Sequence, residues 1–392
     1  MTATAWTHLW AASTMPRHAL HHPDGRCLYV YGPLRGGLPA DETVTPPPTA
    51  LHQRRDLLTG GWVAISPTRN ARPQTGSDVP TTPASDRSPS CPLCPGGPEV
   101  PFSYDAAVFE NRFPSLSPHP PPPPPGQDLA VPSFGRCEVV LYTESHVGSL
   151  ATLTPLQVAR VVAVWRDRSR DLWAQRRHRH VLIFENRGEE VGATLSHPHG
   201  QIYAFDRLPP LTAQRVVTLV EHRQAMHRCL SCEIVARDDR APDRAVARND
   251  SFGVTVPYAA RWPYEVHVRA RRHGLRRLGD LTPSERVDLA AALQEVVIRY
   301  DGLFGTDLPY MMVAAEAPAG DDGRPQTDWH LSFEFLPPHR SATKLKVRAS
   351  VETSTGLFIN DTLPELSAAA LADVAVPPTS WDGITVPDTR PA

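Results

Sequence analysis

The chain has 392 residues, 41% of them apolar, enough for a sizeable core in one large domain or two ordinary ones. Lysine and arginine number 40 against 42 aspartates and glutamates, which excludes a non-specific nucleic-acid binder with its net positive face. No apolar run approaches the ~20 residues of a membrane helix, and the 43 prolines are too aperiodic for collagen.

In chain order, the first twenty residues lack a basic start followed by an apolar block. No secretory signal is expected there, and the cytoplasm is the expected compartment. Residues 1–20 have no clear period and read as frayed. The segment HPDGRCLYVY, residues 22–31, carries an Asp-Gly turn signal and then a short strand. Residues 41–50 and 75–90 read as polar, proline-rich linkers. Six consecutive prolines, Pro120 to Pro125, make residues 118–126 an extended polyproline loop. Strands are expected over 137–142 and 181–184. Between them Thr154 is a candidate N-cap, with Pro155 at the first helical position and Gln157 completing a capping box. Val161, Val162, Trp165 and Leu172 then recur at helical spacing. The chain after about residue 371 reads as loosely held.

The same grammar returns. LATLTPLQV from Leu150 is echoed by LGDLTPSER from Leu278, where Thr282, Pro283 and Glu285 rebuild the helix start. A histidine precedes each block, His146 and His273. Upstream of each lies a Cys-x-x-Cys pair, Cys91/Cys94 and Cys229/Cys232, and downstream of each a further histidine, His197 and His330. Four features in one order predict two copies of one unit. The expected division is an N-terminal extension with a hairpin and linker at 1–53, a catalytic half at 54–208, a second half at 209–366 and a loose tail at 367–392.

The chemical centre is Ser196-His197-Pro198-His199-Gly200-Gln201. If it is extended, positions 197, 199 and 201 share one face; a histidine-rich core strand is the plain alternative. His197 can join Cys91, Cys94 and His146 as a tetrahedral Cys2His2 zinc site, since two residues between cysteines let two thiolates grip one ion. A redox dithiol would use the same cysteines. His199 is then free to act, a neutral imidazole being a good nucleophile toward phosphorus. Its other nitrogen needs an acceptor, most simply a backbone carbonyl, to fix the tautomer. Gln201 can donate its amide to phosphoryl oxygens. No Walker-type loop is present, which excludes an ordinary kinase or NTPase. By the repeat, Cys229, Cys232, His273 and His330 form a candidate second zinc site; buried cysteines beside unrelated histidines are the alternative. Ser332 then falls where His199 stands and Glu334 where Gln201 stands, so the second copy is expected to be catalytically silent.

His-Pro-His-Gly-Gln after Phe184-Glu-Asn-Arg-Gly188 resembles the galactose-1-phosphate uridylyltransferases, a branch of the histidine-triad superfamily, over residues 54–364. The resemblance implies an α+β, duplicated histidine-triad-like fold of two pseudo-symmetric halves, each an antiparallel sheet with packed helices. It implies a ping-pong transfer of UMP from UDP-glucose through a covalent uridylyl-histidine on His199 to galactose 1-phosphate, without an organic cofactor. It also implies phosphate-binding roles for Arg69 and Arg72 in Ser66-Pro-Thr-Arg-Asn-Ala-Arg72-Pro73, and uridine contacts for Phe109, Asn111 and Phe113, alternating onto one face. Asn186, Gly192 and Thr194 fall where the family holds the nucleotide and its phosphates. Lys346 and Glu352 match a segment that reaches the neighbouring subunit's site, hence a homodimer with shared sites; an exposed charged strand is the plain alternative. Many members carry a second metal site of one glutamate and three histidines. Those histidine positions are Ala315, Ser332 and Glu334 here, so these residues do not rebuild it.

Two other readings compete. A related nucleotidyltransferase or phosphorylase acting on an ADP-sugar or a dinucleoside polyphosphate shares the histidine chemistry. A non-catalytic zinc-stabilised binding module leaves Gln201 and the arginines without a task. A nucleic-acid zinc finger is excluded, because the cysteine-to-histidine gaps are near fifty residues rather than about twelve, and neither nucleic acid nor membrane is an expected partner.

Overall fold

The computed structural model describes residues 14–39, 50–72 and 91–392. The linkers expected at 41–50 and 75–90 lie outside these residues except for Ala50. The chain begins with a hairpin, β1 (Thr14–His21) and β2 (Cys27–Tyr31), turned at Asp24-Gly25, where the glycine takes φ +85°. Residues 14–20, expected to fray, are therefore strand. β3 (His52–Arg55) and β4 (Trp62–Ile65) pair in a small side sheet. β5 (Ala106–Glu110) returns to the main sheet, β6 (Ala130–Pro132) joins β3 after the polyproline loop, and β7 (Gly135–Leu141) pairs with β5. Residues 118–126 form no helix or strand, as their prolines require.

Helix α1 (Pro155–Ala174) starts at the predicted cap. Thr154 accepts from the Gln157 N–H, and the Gln157 side chain accepts from the Thr154 N–H. β8 (His180–Arg187) and β9 (His199–Phe205) complete the first half. Helices α2 (Pro210–Met226) and α3 (Leu230–Asp239) lead to β10 (Ala245–Arg248), β11 (Phe252–Thr255) and β12 (Val266–Ala270). Helix α4 (Pro283–Phe304) has the same capping box, on Thr282 and Glu285, and precedes β13 (Tyr310–Ala315) and β14 (Ser332–Leu336). A small hairpin, β15 (His339–Ser341) and β16 (Lys344–Leu345), then α5 (Ser350–Thr355), α6 (Pro364–Ala372) and β17 (Asp388–Pro391) finish the chain. Among the described residues no helix is long and apolar enough to cross a membrane.

The duplication is written into the sheet. Its strand order is β10-β11-β12-β14-β13-β8-β9-β7-β5-β2-β1-β17. Outward from the β13–β8 seam, β14, β12 and β11 on one side match β9, β7 and β5 on the other. The seam is antiparallel, with Phe184 opposite Val313, Leu182 opposite Ala315 and Asn186 opposite Met311. In each half the register sets Gln201 against Phe184 and Glu334 against Val313. A local two-fold axis therefore passes between Phe184 and Val313, and it places Ser332 on His199 and Glu334 on Gln201. The α+β duplicated build is as expected, but the half-sheets are fused into one of twelve strands. β10 and β2 hold matching outer places although β2 precedes its cysteine pair and β10 follows its own.

One face of this sheet is dry. Val140, Tyr142, Ile183, Ile202, Met312, Phe333 and Phe335 meet Val161, Trp165, Leu289, Leu293 and Val297 of α1 and α4 in one cluster. Trp165 packs edge-on against Tyr142 and tilted against Phe333, joining both halves. The alternate residues face forward, and there the site lies.

The tail is the main departure. β17 pairs in parallel with β1, and Asp388 accepts from Arg166 of α1 at 2.6 Å and from Arg286 of α4 at 2.8 Å. Charge pairing, not apolar patterning, holds residues 388–391, so their sequence gives no period to read.

Candidate active site

Strand β9 opens on His199, and its alternation sends His199, Gln201 and Tyr203 to the front while Gly200, Ile202 and Ala204 are buried behind. The Nδ1–H of His199 donates to the carbonyl of His197 at 2.7 Å. Since a carbonyl only accepts, the proton sits on Nδ1 and the lone pair on Nε2. Burial lowers the imidazole's pKa against the pull of that hydrogen bond, so the ring is neutral at pH 7. A neutral ring of fixed tautomer is a nucleophile at Nε2. His197 itself precedes the strand, in a bend, so the expected common face begins at His199.

Arg69 lies on, and Arg72 just after, a 3-10 turn, Pro67–Ala71, stapled by Ser66 Oγ donating to the Pro114 carbonyl at 2.8 Å. The Arg69 guanidinium donates to Tyr203 Oη at 3.1 Å and to the Phe113 carbonyl at 3.4 Å. Tyr203 lies two steps along the His199 face, so Arg69 is brought to it. Burial and the neighbouring Arg69 hold Arg72 below its ordinary value. Neither arginine pairs with a carboxylate among the described residues. Phe184 stands edge-on to Tyr203, with ring centroids 5.1 Å apart. Asn186 continues the Phe184 face of β8 toward His199. The loop between β8 and β9 carries Gly192, at φ +79°, and Thr194.

The alternation expected of Phe109, Asn111 and Phe113 is kept in part. β5 stops at Glu110, and Asn111 Oδ1 accepts from the Phe113 N–H at 2.8 Å. Asn111 keeps register opposite Cys137, whose carbonyl accepts its N–H at 2.8 Å, so Phe109 and Asn111 share one face while Phe113 lies past the turn; Phe109 is buried in an apolar cluster with Cys91, Cys94 and Leu141. Lys346 and Glu352 do not form the exposed charged strand that is their plain alternative. They are buried and paired with each other, the ammonium also donating to the Ile359 carbonyl.

Among the described residues two Cys/His groups could hold a metal ion, and within each the ligand atoms lie within 4.8 Å of one another. In the first, Cys94 Sγ faces His146 Nδ1 at 3.5 Å and His197 Nδ1 at 3.6 Å. His197 Nε2–H donates to the Thr143 carbonyl at 2.9 Å, which turns Nδ1 toward the sulfurs. Burial and the adjacent Cys94 push the Cys91 thiol up to about 11, so a bound cation is what would make it a thiolate. In the second, Cys232 Sγ faces His273 Nδ1 and His330 Nε2, each at 3.4 Å, and His330 Nδ1–H donates to the Ala270 carbonyl at 3.0 Å. Both donor sets fit a metal. They present opposite ring nitrogens, Nδ1 of His197 and Nε2 of His330, so the copies have diverged.

Ser332 and Glu334 of the second half line a cavity of about 350 Å³ that also carries Arg215, His267 and Arg269. Arg215 of α2 grips both Glu334 oxygens, at 2.6 and 2.9 Å, and Arg261 adds a third contact at 3.2 Å. Burial alone would raise this carboxyl; His267, Arg215 and Arg261 outweigh it and hold it at about 2. Sequence reasoning missed Tyr203, although it continues the His199–Gln201 period. It also missed Arg215, which has no local signal.

Comparisons with known proteins point to one family. Residues 43–209 match the family model described as galactose-1-phosphate uridyl transferase, N-terminal domain, and residues 215–375 match the C-terminal domain model. The galactose-1-phosphate uridylyltransferase of Thermotoga maritima is 38% identical over 329 residues, 83% of this chain and 99% of its own length. That of Streptomyces lividans is 35% identical over 377 residues, 90% of this chain and 96% of its own. A solved uridylyltransferase structure superposes with a TM-score of 0.72 at 31% identity, covering 82% of this chain and 98% of that one.

Proposed function

The chain belongs to the galactose-1-phosphate uridylyltransferase family and is a nucleotidyltransferase, and on that premise we propose that it carries UMP from UDP-glucose to galactose 1-phosphate on His199. The observation that carries this reading is the His199 Nδ1–H held by the His197 carbonyl, which leaves the Nε2 lone pair for phosphorus. Nε2 attacks the α-phosphorus of UDP-glucose, an N–P bond forms, and the P–O bond to the β-phosphate breaks. Glucose 1-phosphate leaves with the electron pair. The Nδ1 proton stays on the ring, and its carbonyl partner stabilises the positive charge that develops there. A phosphate oxygen of galactose 1-phosphate then displaces His199, and UDP-galactose is released. Gln201 donates to the transferring phosphoryl oxygens, and Arg69 and Arg72 neutralise the phosphates. Asn186, Gly192 and Thr194 border the nucleotide.

Zinc suits both Cys2His2 sets. Held by Cys91, Cys94, His146 and His197, it would tie the loop before β9 in place and so hold the His197 carbonyl; Cys229, Cys232, His273 and His330 would hold a second ion. In the second half Ser332 stands in the place of His199. We read residues 54–208 as the catalytic half and 209–366 as its silent partner. Exposed Val347, Leu357, Ile359, Leu363 and Leu366 support a homodimer built on the segment after β16. Six free cysteines suit the reducing cytoplasm.

The test is incubation with UDP-glucose labelled in the α-phosphate. An acid-labile, base-stable label is expected on His199 and leaves on addition of galactose 1-phosphate. A label on another residue, or equal exchange by the His199→Ala protein, overturns the reading.

A further inference from the structure

Behind the nucleophile's strand lies a buried carboxyl that the steps above do not use. Glu185 of β8 points to the dry face, and two phenols donate to it: Tyr142 Oη to Oε2 at 3.1 Å and Tyr310 Oη to Oε1 at 2.9 Å. Tyr142 directly follows β7 in the catalytic half; Tyr310 opens β13 in the second half. An apolar core of the same volume would avoid the cost of burying a carboxyl, so the position of this group needs a reason.

Tyr142 supplies it by touching the nucleophile's segment twice. Its backbone N–H donates to the Pro198 carbonyl at 3.3 Å. Its phenol oxygen fills the space that a side chain on residue 200 would occupy, and the Phe184 carbonyl closes the other side of that space, 3.1 Å from where a Cβ would stand. Residue 200 is glycine, and its backbone lies flat against Tyr142. The ring of Tyr142 is wedged edge-on against Trp165, and Glu185 holds its oxygen.

We infer that Tyr310, Glu185 and Tyr142 form a positioning chain that braces the His199-Gly200-Gln201 backbone from behind, through which the silent half acts on the active site. The inference rests on the reading of His199 as nucleophile. Glu185 is a positioning residue: it touches neither substrate nor the reacting nitrogen. Burial raises its carboxyl, the two tyrosines and Arg187 offset part of that rise, and the net result is about 7.

Single-turnover labelling with α-labelled UDP-glucose tests this, because it separates the rate constant for label uptake from the fraction of sites labelled. With Tyr142→Phe, and with Glu185→Gln, the rate constant is expected to fall about tenfold or more, while the labelled fraction and the KM stay within about twofold of wild type. Tyr310→Phe is expected to slow uptake several-fold. A merely structural role would instead lower the labelled fraction and leave the rate constant alone, and that result overturns the inference. If Glu185→Gln does not fold, Tyr142→Phe, which keeps the ring, still decides. A Tyr142→Phe protein that labels at the wild-type rate overturns the brace. A Tyr310→Phe protein that does so removes the second half's part. A wild-type protein that takes no label overturns the proposed function, and the brace with it.

Discussion

The carbonyl of His197 accepts the Nδ1–H of His199 at 2.7 Å, while the ring of the same His197 faces Cys94 Sγ at 3.6 Å. One residue thus serves the candidate metal group with its side chain and the tautomer of the proposed nucleophile with its backbone. Loosening the Cys/His group is felt at Nε2 without any change in the residues that meet substrate.

Metal content follows from the two donor sets. Elemental analysis is expected to give two zinc ions per chain, falling to one in Cys229→Ser, which should keep most of its transferase activity. Cys91→Ser should lose both an ion and activity. One ion per chain in the unaltered protein sinks the second site.

Arg69 is expected to act through phosphate. Losing a charge-assisted contact of about 1.5–3 kcal/mol should lower kcat/KM of Arg69→Ala by about 10–100-fold. Arg69→Lys should restore only part, because an ammonium cannot reach Tyr203 and a phosphate with one planar fork. Steady-state kinetics on both variants checks this; full activity in the lysine variant contradicts it.

Gly200→Ala should cost about 1–3 kcal/mol, because the new methyl meets the Tyr142 phenol oxygen and the Phe184 carbonyl. Adding Tyr142→Phe removes the first clash and should return part of the loss. Urea unfolding of the single and double variants measures the coupling, and simple additivity would count against the contact.

The Arg215–Glu334 pair sets an acid limit. Arg215→Ala leaves a buried carboxylate short of its main partner and should cost about 3–5 kcal/mol at pH 7. Glu334 is held at about 2 from an ordinary 4.5, so the stability it confers is complete above pH 4.5 and lost as pH falls toward 2. Urea midpoints at pH 6 and pH 3 should converge between Arg215→Ala and the unaltered protein; a constant gap contradicts the assignment.

What the sequence made legible was local. The capping boxes at Thr154 and Thr282 are fixed by residues three apart, and both form as read. The paired histidines and cysteines could be ordered because the repeat keeps them in step. What was hidden depends on partners far along the chain. Asn111 reads as an alternating strand residue and its N–H does pair with Cys137, but its side-chain oxygen captures the Phe113 N–H and turns the chain before Phe113 can continue the pattern. Arg215 has no local signal, since its carboxylate lies 119 residues away. Residues 388–391 carry no strand pattern because β1 supplies the pairing and two arginines of separate helices supply the charge.

The Phe184–Val313 seam has a practical outcome. Each half ends in the middle of a hydrogen-bonded ladder, so a half made alone would present a bare, flat, apolar strand margin and be prone to stick to any similar margin. A chain cut between Asp206 and Pro209 after folding should stay together as a two-piece complex, whereas the pieces synthesised apart should precipitate unless they are refolded in one tube.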